Sequence, residues 1–212
     1  MRPPDDLRAA PVTLAIAIVT AAAWLIAWAA GRQEAAALAG GFVPAGVLAE
    51  SGLLRLPALL TPLTATLVHA GFVHLFFNLI MLLFCGRSVE RVLGGRGIVI
   101  LYLVGAYAAA AAQYAANPAE TIPMVGASGA ISALLGAFAM LFGRNKVKVA
   151  HPGLATLLNA LWLGAAWIGL QLLVGLTFET TGLGIAIFAH IGGFIAGLAL
   201  ARPLLLLRWR GA

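Results

Sequence analysis

Long apolar stretches separated by shorter connections run through most of this sequence. A helix needs about 20 predominantly apolar residues to cross the hydrocarbon core of a bilayer. Only 9% of the 212 residues are charged, whereas a soluble domain uses about 25%. The pattern therefore predicts an all-α polytopic membrane protein with six spanning helices, of which the second is short. The six stretches are residues 12–30, 71–85, 98–116, 122–142, 154–176 and 184–207.

The basic residues are distributed unevenly between the connections. Eleven of the 13 Lys and Arg residues share one side of the predicted spans, and only Arg32 and Arg55 fall on the other. Basic residues accumulate in cytoplasmic loops, so both termini are predicted to be cytoplasmic. The net charge of +6 then reflects topology, and no nucleic-acid partner is expected. The eleven are Arg2, Arg8, Arg87, Arg91, Arg96, Arg144, Lys146, Lys148, Arg202, Arg208 and Arg210.

A single membrane domain over residues 1–212 is predicted, with no secretory signal at its start. Its longest connection, residues 31–70, mixes glycine and proline with apolar side chains, which predicts a folded loop on the outer membrane surface with short interfacial helices. The one cysteine, Cys85, allows no disulfide within the chain. A surface residue of the loop is one interpretation of His69. It lies five residues before His74 without a nearby carboxylate, which does not match the metalloprotease helix pattern, and neither a metal nor a cofactor is expected.

Four polar residues fall within the predicted spans, where polar side chains are costly and often functional. They are His74, Asn78, Ser128 and His190. From the helical rise, all four lie roughly 5–12 Å below the outer surface, although they come from three different spans. His74 and Asn78 are four residues apart, so they face the same way. The shared depth predicts that the four side chains meet.

A serine and a histidine at one depth are the minimum for nucleophilic acyl transfer. The imidazole of His190 would take the hydroxyl proton as Ser128 attacks a carbonyl, and would later return it to the leaving amine. The resulting oxyanion needs donors, which His74, Asn78 and the backbone N–H of Ser128 can supply. Gly126 and its neighbour Gly129 would let a peptide backbone approach the nucleophile.

The same residues also have a purely structural interpretation. The small residues of GASGA around Ser128, and the Gly193-x-x-x-Gly197 pattern after His190, are typical of close helix contacts. A buried His or Asn often hydrogen-bonds a neighbouring helix. The common depth favours function, so the small residues are expected both to pack helices and to clear a path to Ser128. A small transporter would predict internal repeats or broken spans, and neither is evident in the sequence.

Three motifs in this order resemble those of the rhomboid family of intramembrane serine proteases. The first is similar to the family's second-span signature, with a His-x-x-x-Asn pair at His74 and Asn78 and a following Glu90-x-x-x-Gly94. The second is similar to its Gly-x-Ser-Gly motif, and the third to its histidine followed by small residues. The motifs are HAGFVHLFFNLIMLLFCGRSVERVLG (69–94), GASGAI (126–131) and AHIGGFIAG (189–197). The resemblance covers roughly residues 60–197.

The resemblance implies a six-span rhomboid core with Ser128 as nucleophile and His190 as general base, without a third carboxylate member. His74, Asn78 and the Ser128 amide resemble the oxyanion hole, beside Gly126. The implied activity is cleavage of single-span membrane proteins near the outer end of their spans. A bacterial inner membrane is the implied location, with the site opening to the outer side. The alternative is an inactive rhomboid-like protein that binds client helices; the presence of both serine and histidine favours the enzyme.

Two positions depart from the family pattern. Many members have Trp-Arg in the outer loop where this chain has Leu60 and Thr61. Many also have an aromatic residue four positions after the nucleophile, stacked on the catalytic histidine, where this chain has Ser132. A hydrogen bond from Ser132 is one way to orient His190. The other interpretation is that Ser132 only packs helices.

Overall fold

The computed structural model describes residues 10–47, 56–143, 152–176 and 186–209. Eight α-helices lie within these ranges, together with an isolated antiparallel bridge but no strand. The helices confirm the predicted all-α class. In chain order they are α1 (Pro11–Ala29), α2 (Gln33–Gly40), α3 (Thr61–Thr64), α4 (Phe72–Met81), α5 (Arg87–Ala116), α6 (Ser128–Phe142), α7 (Pro152–Leu176) and α8 (Ile187–Arg208).

Each of the six predicted apolar stretches coincides largely with a helix. The second stretch covers α4 and a π-helical segment, Leu82–Gly86, through which α4 continues into α5. By length and composition, three described helical runs can cross a membrane, namely Pro11–Ala29, Phe72–Ala116 and Ile187–Arg208. The 15-residue α6 is apolar but shorter. The count of six spans and the cytoplasmic termini stay predictions.

Helix α6 lies at the centre of the bundle and is buried from Ser128 to Ala137. It packs between α5 and α8 through residues without large side chains. A Cβ atom on Gly193 or Gly197 of α8 would collide with the carbonyl oxygen of Gly129 or Ala133 of α6. Small residues at such positions let helix backbones approach closely. The packing interpretation of the small-residue patterns therefore applies to this interface.

The start of α6 differs from the prediction, because residues 122–127 are not helical. Met124 pairs with Phe42 in the antiparallel bridge, with N···O distances of 2.8 and 2.9 Å. The N–H of Gly126 donates to the carbonyl of Ala65 at 2.8 Å, and its φ of +113° is outside the helical region. The backbone donors of this segment thus bond to the preceding loop, so the helix begins six residues later than the apolar pattern suggests.

The described part of the 31–70 loop is folded around α2 and α3, while residues 48–55 lie outside the described ranges. At the departure from the family pattern, Leu60 is 49% exposed and Thr61 is fully buried. The Thr61 hydroxyl donates to the carbonyl of Ala58 at 2.7 Å. The Tyr107 hydroxyl of α5 donates to the carbonyl of Leu59 at 2.8 Å. In the absence of the Trp-Arg pair, the Thr61 bond therefore fixes the loop locally and the Tyr107 bond holds it beside α5.

Candidate active site

Ser128 and His190 meet between the first turns of α6 and α8. The hydroxyl oxygen of Ser128 and Nε2 of His190 lie 2.8 Å apart, and both side chains are buried. Ser128 is the first residue of α6 and His190 the fourth of α8. One turn along, Gly193 packs directly on the carbonyl of Gly129. This contact fixes the separation of the two helices where the serine and histidine face each other.

The second ring nitrogen of His190 is Nδ1, the one that does not face Ser128. Nδ1 is buried and has no partner among the residues that the structure describes. For Nε2 to accept the serine proton, the ring proton must reside on Nδ1. In the described structure this N–H is therefore not oriented by a carboxylate. Among the described residues, Ser128 and His190 therefore form a hydrogen-bonded pair to which no third side chain is bonded at Nδ1.

His74 packs against the glycine that precedes the serine motif. Its Nδ1 accepts the backbone N–H of Ala70 at 3.4 Å, which assigns the ring proton to Nε2. A Cβ on Gly126 would lie 2.8 Å from that Nε2 and 2.6 Å from Cε1. The sequence assigned Gly126 to substrate approach. The structure adds that a side chain there would collide with the imidazole of His74.

Asn78 lies one turn below His74 and is buried. Its Nδ2 donates to the carbonyl of His74 at 2.8 Å, and Oδ1 has no partner in the described part of the chain. This bond uses one of the two amide hydrogens. The structure thus ties Asn78 to its own helix and leaves one carboxamide N–H for another acceptor.

The two other small or hydroxyl residues near Ser128 face neighbouring helices. A Cβ on Gly129 would lie 2.5 Å from the Cβ of Ala109 on α5, so Gly129 serves helix packing rather than substrate approach. Ser132 donates to the carbonyl of Ser128 at 2.8 Å and accepts the indole N–H of Trp167 at 2.8 Å. The hydrogen bond from Ser132 to the histidine, one of the two interpretations above, is not among the bonds that Ser132 makes.

Two residues at the site were missed by the sequence interpretation. Trp167 of α7 lies with its ring centroid 6.3 Å from that of His190, with the ring planes at 70°. The available signal was its position in an apolar stretch three residues after Gly164, a spacing that shares one helix face. The other is His69, which is 2% exposed instead of lying on the surface.

His69 holds the segment that leads into α6. Its Nε2 accepts the backbone N–H of Ala127 at 3.4 Å, and its ring centroid is 5.1 Å from that of His74. His69 lies in the connection before α4, outside the spanning helices. Burial, with a smaller contribution from His74 and opposed by a backbone hydrogen bond at Leu67, lowers its pKa from 6.5 to about 3. The ring is therefore neutral and able to accept the Ala127 N–H.

The described residues contain no group of three His, Cys, Asp or Glu side chains that could hold a metal ion. The site itself offers several polar groups. These groups are a hydroxyl bonded to an imidazole, a second imidazole, a carboxamide and the first N–H groups of α6, which have no acceptor within their helix. Such a set suits nucleophilic attack on a carbonyl and stabilisation of the resulting oxyanion.

Comparison with known proteins decides the family. The family model of the rhomboid domain matches residues 57–207, which include all four polar residues of the site. The chain belongs to the rhomboid family. It is a multi-pass membrane protein with the all-helical bundle of that family, as its sequence predicted.

Several curated rhomboid proteins are similar to the chain. It is 29% identical to Rhomboid-related protein 2 of Mus musculus over 71% of this chain and 53% of that protein. It is 27% identical to the rhomboid protease GlpG of Pectobacterium atrosepticum over 92% of this chain and 63% of that protein. It is 30% identical to the rhomboid protease GluP of Bacillus subtilis over 67% of this chain and 25% of that protein. The chain thus spans about a quarter to two thirds of the length of these relatives.

Proposed function

We propose that this rhomboid protein is an intramembrane serine endopeptidase that cleaves transmembrane segments of other membrane proteins. The proposal depends above all on the 2.8 Å distance between the Ser128 hydroxyl and Nε2 of His190. A buried hydroxyl in direct contact with an imidazole is the arrangement that makes serine nucleophilic at neutral pH. Relatives named rhomboid protease support the same assignment.

The reaction follows from the pair and proceeds in two stages. Ser128 attacks the scissile carbonyl while His190 accepts its proton at Nε2, and the protonated imidazole then gives this proton to the departing amine. An acyl-enzyme ester on Ser128 remains. Water, deprotonated by His190, attacks the ester, and the serine leaves with the returned proton. Hydrolysis at this site therefore needs water at the start of α6 and α8.

The developing oxyanion requires donors close to Ser128. The Nε2–H of His74, one N–H of the Asn78 carboxamide and the backbone N–H of Ser128 are the three proposed donors. His74 is in contact with the Gly126 segment, and Ser128 is the first residue of its helix. The free amide hydrogen of Asn78 supports its role, although its other hydrogen bond is structural.

The proposed substrates are single-span membrane proteins in the inner membrane of a bacterium, cut near the outer end of the span. Ser128 lies at the end of α6 that the folded loop covers, through the Phe42–Met124 bridge and the Ala65–Gly126 bond. With both termini cytoplasmic, this end faces outward. A helix buries its own carbonyls in hydrogen bonds, so the substrate segment must unwind before attack.

The test is cleavage in lipid vesicles by the purified protein. The substrates are single-span fusion proteins with small residues and a helix-breaking glycine near the outer end of the span, beside matched versions with leucine there. We expect cleavage within the glycine-containing span, none with Ser128→Ala, and normal cleavage with Ser88→Ala. The Ser88 hydroxyl bonds the carbonyl of Phe84, in the α4–α5 connection. Binding of the fusions without cleavage by wild type would instead favour a client-binding protein.

A further inference from the structure

Trp167 makes two contacts that the proposed reaction does not by itself require. Its indole N–H donates to the hydroxyl of Ser132 at 2.8 Å, and Ser132 donates in turn to the carbonyl of Ser128 at 2.8 Å. Trp167 is 5% exposed and Ser132 is fully buried. A large side chain with both its ring and its polar atom fixed inside the bundle has little freedom to move. The indole of Trp167 is therefore held rigidly beside Ser132.

The indole of Trp167 also makes an edge contact with the imidazole of His190. The two ring centroids are 6.3 Å apart and the planes are tilted by 70°, which is an edge-to-face arrangement. Nδ1 of His190 has no partner among the described residues, so no hydrogen bond at that atom fixes the imidazole plane. Its orientation must come from the bond to Ser128 and from packing.

Helix α7 is held against α8 at the same place. A Cβ on Gly164 would lie 2.9 Å from the ring of Phe194 on α8. Gly164 and Trp167 are three residues apart and so share the face of α7 that meets the bundle. The close approach at Gly164 brings the indole of Trp167 within reach of both Ser132 and His190.

We propose that Trp167 is a positioning residue, held by Ser132, that fixes the plane of the His190 imidazole for proton transfer. This inference rests on the proposed protease function. It also explains why this chain has Ser132 at a position where many rhomboid proteins have an aromatic residue. The aromatic contact with the histidine comes from α7 in this chain, and the residue four positions after the nucleophile supplies the hydroxyl that anchors it.

The experiment compares Trp167→Leu, Trp167→Phe and Ser132→Ala in vesicles by kcat, KM and thermal unfolding. Trp167→Leu removes the ring, and we expect kcat to fall about tenfold or more because misorientation of a catalytic group slows the reaction strongly. KM should stay within about twofold, since the buried indole does not contact substrate. Trp167→Phe keeps a ring and should recover most of kcat. Trp28→Leu, the same substitution on an exposed face of α1, is the control.

Coupling between Ser132 and Trp167 is measured with the double variant. Ser132→Ala should lower kcat about two- to fivefold alone and cause no further loss in the Trp167→Leu background, because the hydroxyl acts through the indole. If the wild type cleaves its substrate and folded Trp167→Leu has the same kcat, the inference about Trp167 is overturned while the proposed protease function stands. Equal loss in the Leu and Phe variants would also overturn it. A wild type that cleaves nothing would overturn the proposed function, and this inference with it.

Discussion

At one end of α8 lies His190, whose Nδ1 has no hydrogen-bond partner among the described residues. Arg208 lies about 27 Å along the same helix, at about 1.5 Å per residue, and donates to the backbone carbonyl of Glu90 at 3.5 Å. The carboxylate of Glu90 accepts three hydrogen bonds. We call His74, Asn78, Ser128 and His190 the serine cluster. We call Thr13, Glu90, Gly94 and Arg208 the glutamate cluster. All four residues of the serine cluster, and Glu90 and Gly94 of the glutamate cluster, belong to motifs that resemble those of the rhomboid family. The polar atoms of the two clusters are nevertheless satisfied to different extents.

In the glutamate cluster, Glu90 of α5 caps the first turn of α1. Its carboxylate accepts the backbone N–H groups of Val12 and Thr13 at 3.0 and 2.8 Å and the hydroxyl of Thr13 at 2.6 Å. A negative charge at a helix N-terminus also interacts favourably with the helix dipole. Gly94 adopts a φ of +74° and packs directly against the guanidinium of Arg208. The cluster joins α1, α5 and α8.

The serine cluster leaves buried polar atoms without partners, namely Nδ1 of His190 and Oδ1 of Asn78, counted over the described residues. A buried polar group without a partner costs about 1–3 kcal/mol of stability. Native proteins keep few such groups, often where chemistry occurs. The hydrogen bonds of Glu90 join helices and so stabilise the fold. We propose that the partnerless atoms of the serine cluster serve a substrate, although such atoms also occur at Thr20 and Tyr102, outside the cluster.

Replacing the base should give the largest effect and leave the fold intact. His190→Gln preserves approximate volume and a hydrogen bond to Ser128 but cannot accept the proton. We expect kcat to fall by up to about 10⁴-fold, the upper range for loss of general acid–base catalysis, with the free energy of unfolding changed by less than about 1 kcal/mol. Cleavage rates and thermal unfolding of the same preparation measure both. Turnover within tenfold of wild type would mean that another group acts as the base.

The second-largest effect is expected for Asn78, one of the proposed oxyanion donors. Asn78→Ala should reduce turnover about 10²–10³-fold, equivalent to about 3–4 kcal/mol of transition-state stabilisation. Stability should fall only by the bond to the His74 carbonyl, about 1 kcal/mol. His74→Ala and the double variant show whether the two donors compensate for each other. A large stability loss with normal turnover per folded molecule would make Asn78 a purely structural residue.

In the glutamate cluster, substitutions should reduce stability more than activity, the reverse of the serine cluster. Glu90→Gln keeps the shape of the side chain but replaces a charged acceptor by an amide donor facing the α1 N–H groups. We expect a loss of about 2–3 kcal/mol in the free energy of unfolding, with kcat per folded molecule within about twofold. Thr13→Val removes only the hydroxyl bond and should cost about 1 kcal/mol. Greater loss of kcat than of stability would contradict the division between the clusters.

The last effect concerns His69 and is small at neutral pH, because it develops only on acidification. Its pKa is about 3 in the folded protein and 6.5 in the unfolded chain, so between these values only the unfolded state binds the proton. The free energy of unfolding therefore has its full value above pH 6.5 and declines as the pH falls, by about 2 kcal/mol at pH 5. His69→Gln can still accept the Ala127 N–H but does not titrate. Its stability should decline less steeply with acidification than that of wild type, and identical slopes would contradict the assignment.

The sequence predicted those features that depend on local pattern. Apolar stretches locate helices because membrane burial is a property of each segment. The residues of the serine cluster were found from their shared depth and from the family motifs. The late start of α6 depends on bonds to a loop residue far away in the chain, Ala65. Contacts of Trp167 with Ser132, and of His69 with Ala127, join positions 35 and 58 residues apart. No local pattern encodes such contacts.

Chemical labelling distinguishes Ser128 from the other serines of the chain. The purified protein is treated with a serine-reactive fluorophosphonate, and the modified peptide is identified by mass spectrometry. We expect a single phosphonylated residue, Ser128, with labelling lost in Ser128→Ala and slowed at least about 100-fold in His190→Gln. Labelling of Ser132 in place of Ser128, or an unchanged rate in His190→Gln, would contradict the assignment of Ser128 as a nucleophile activated by His190.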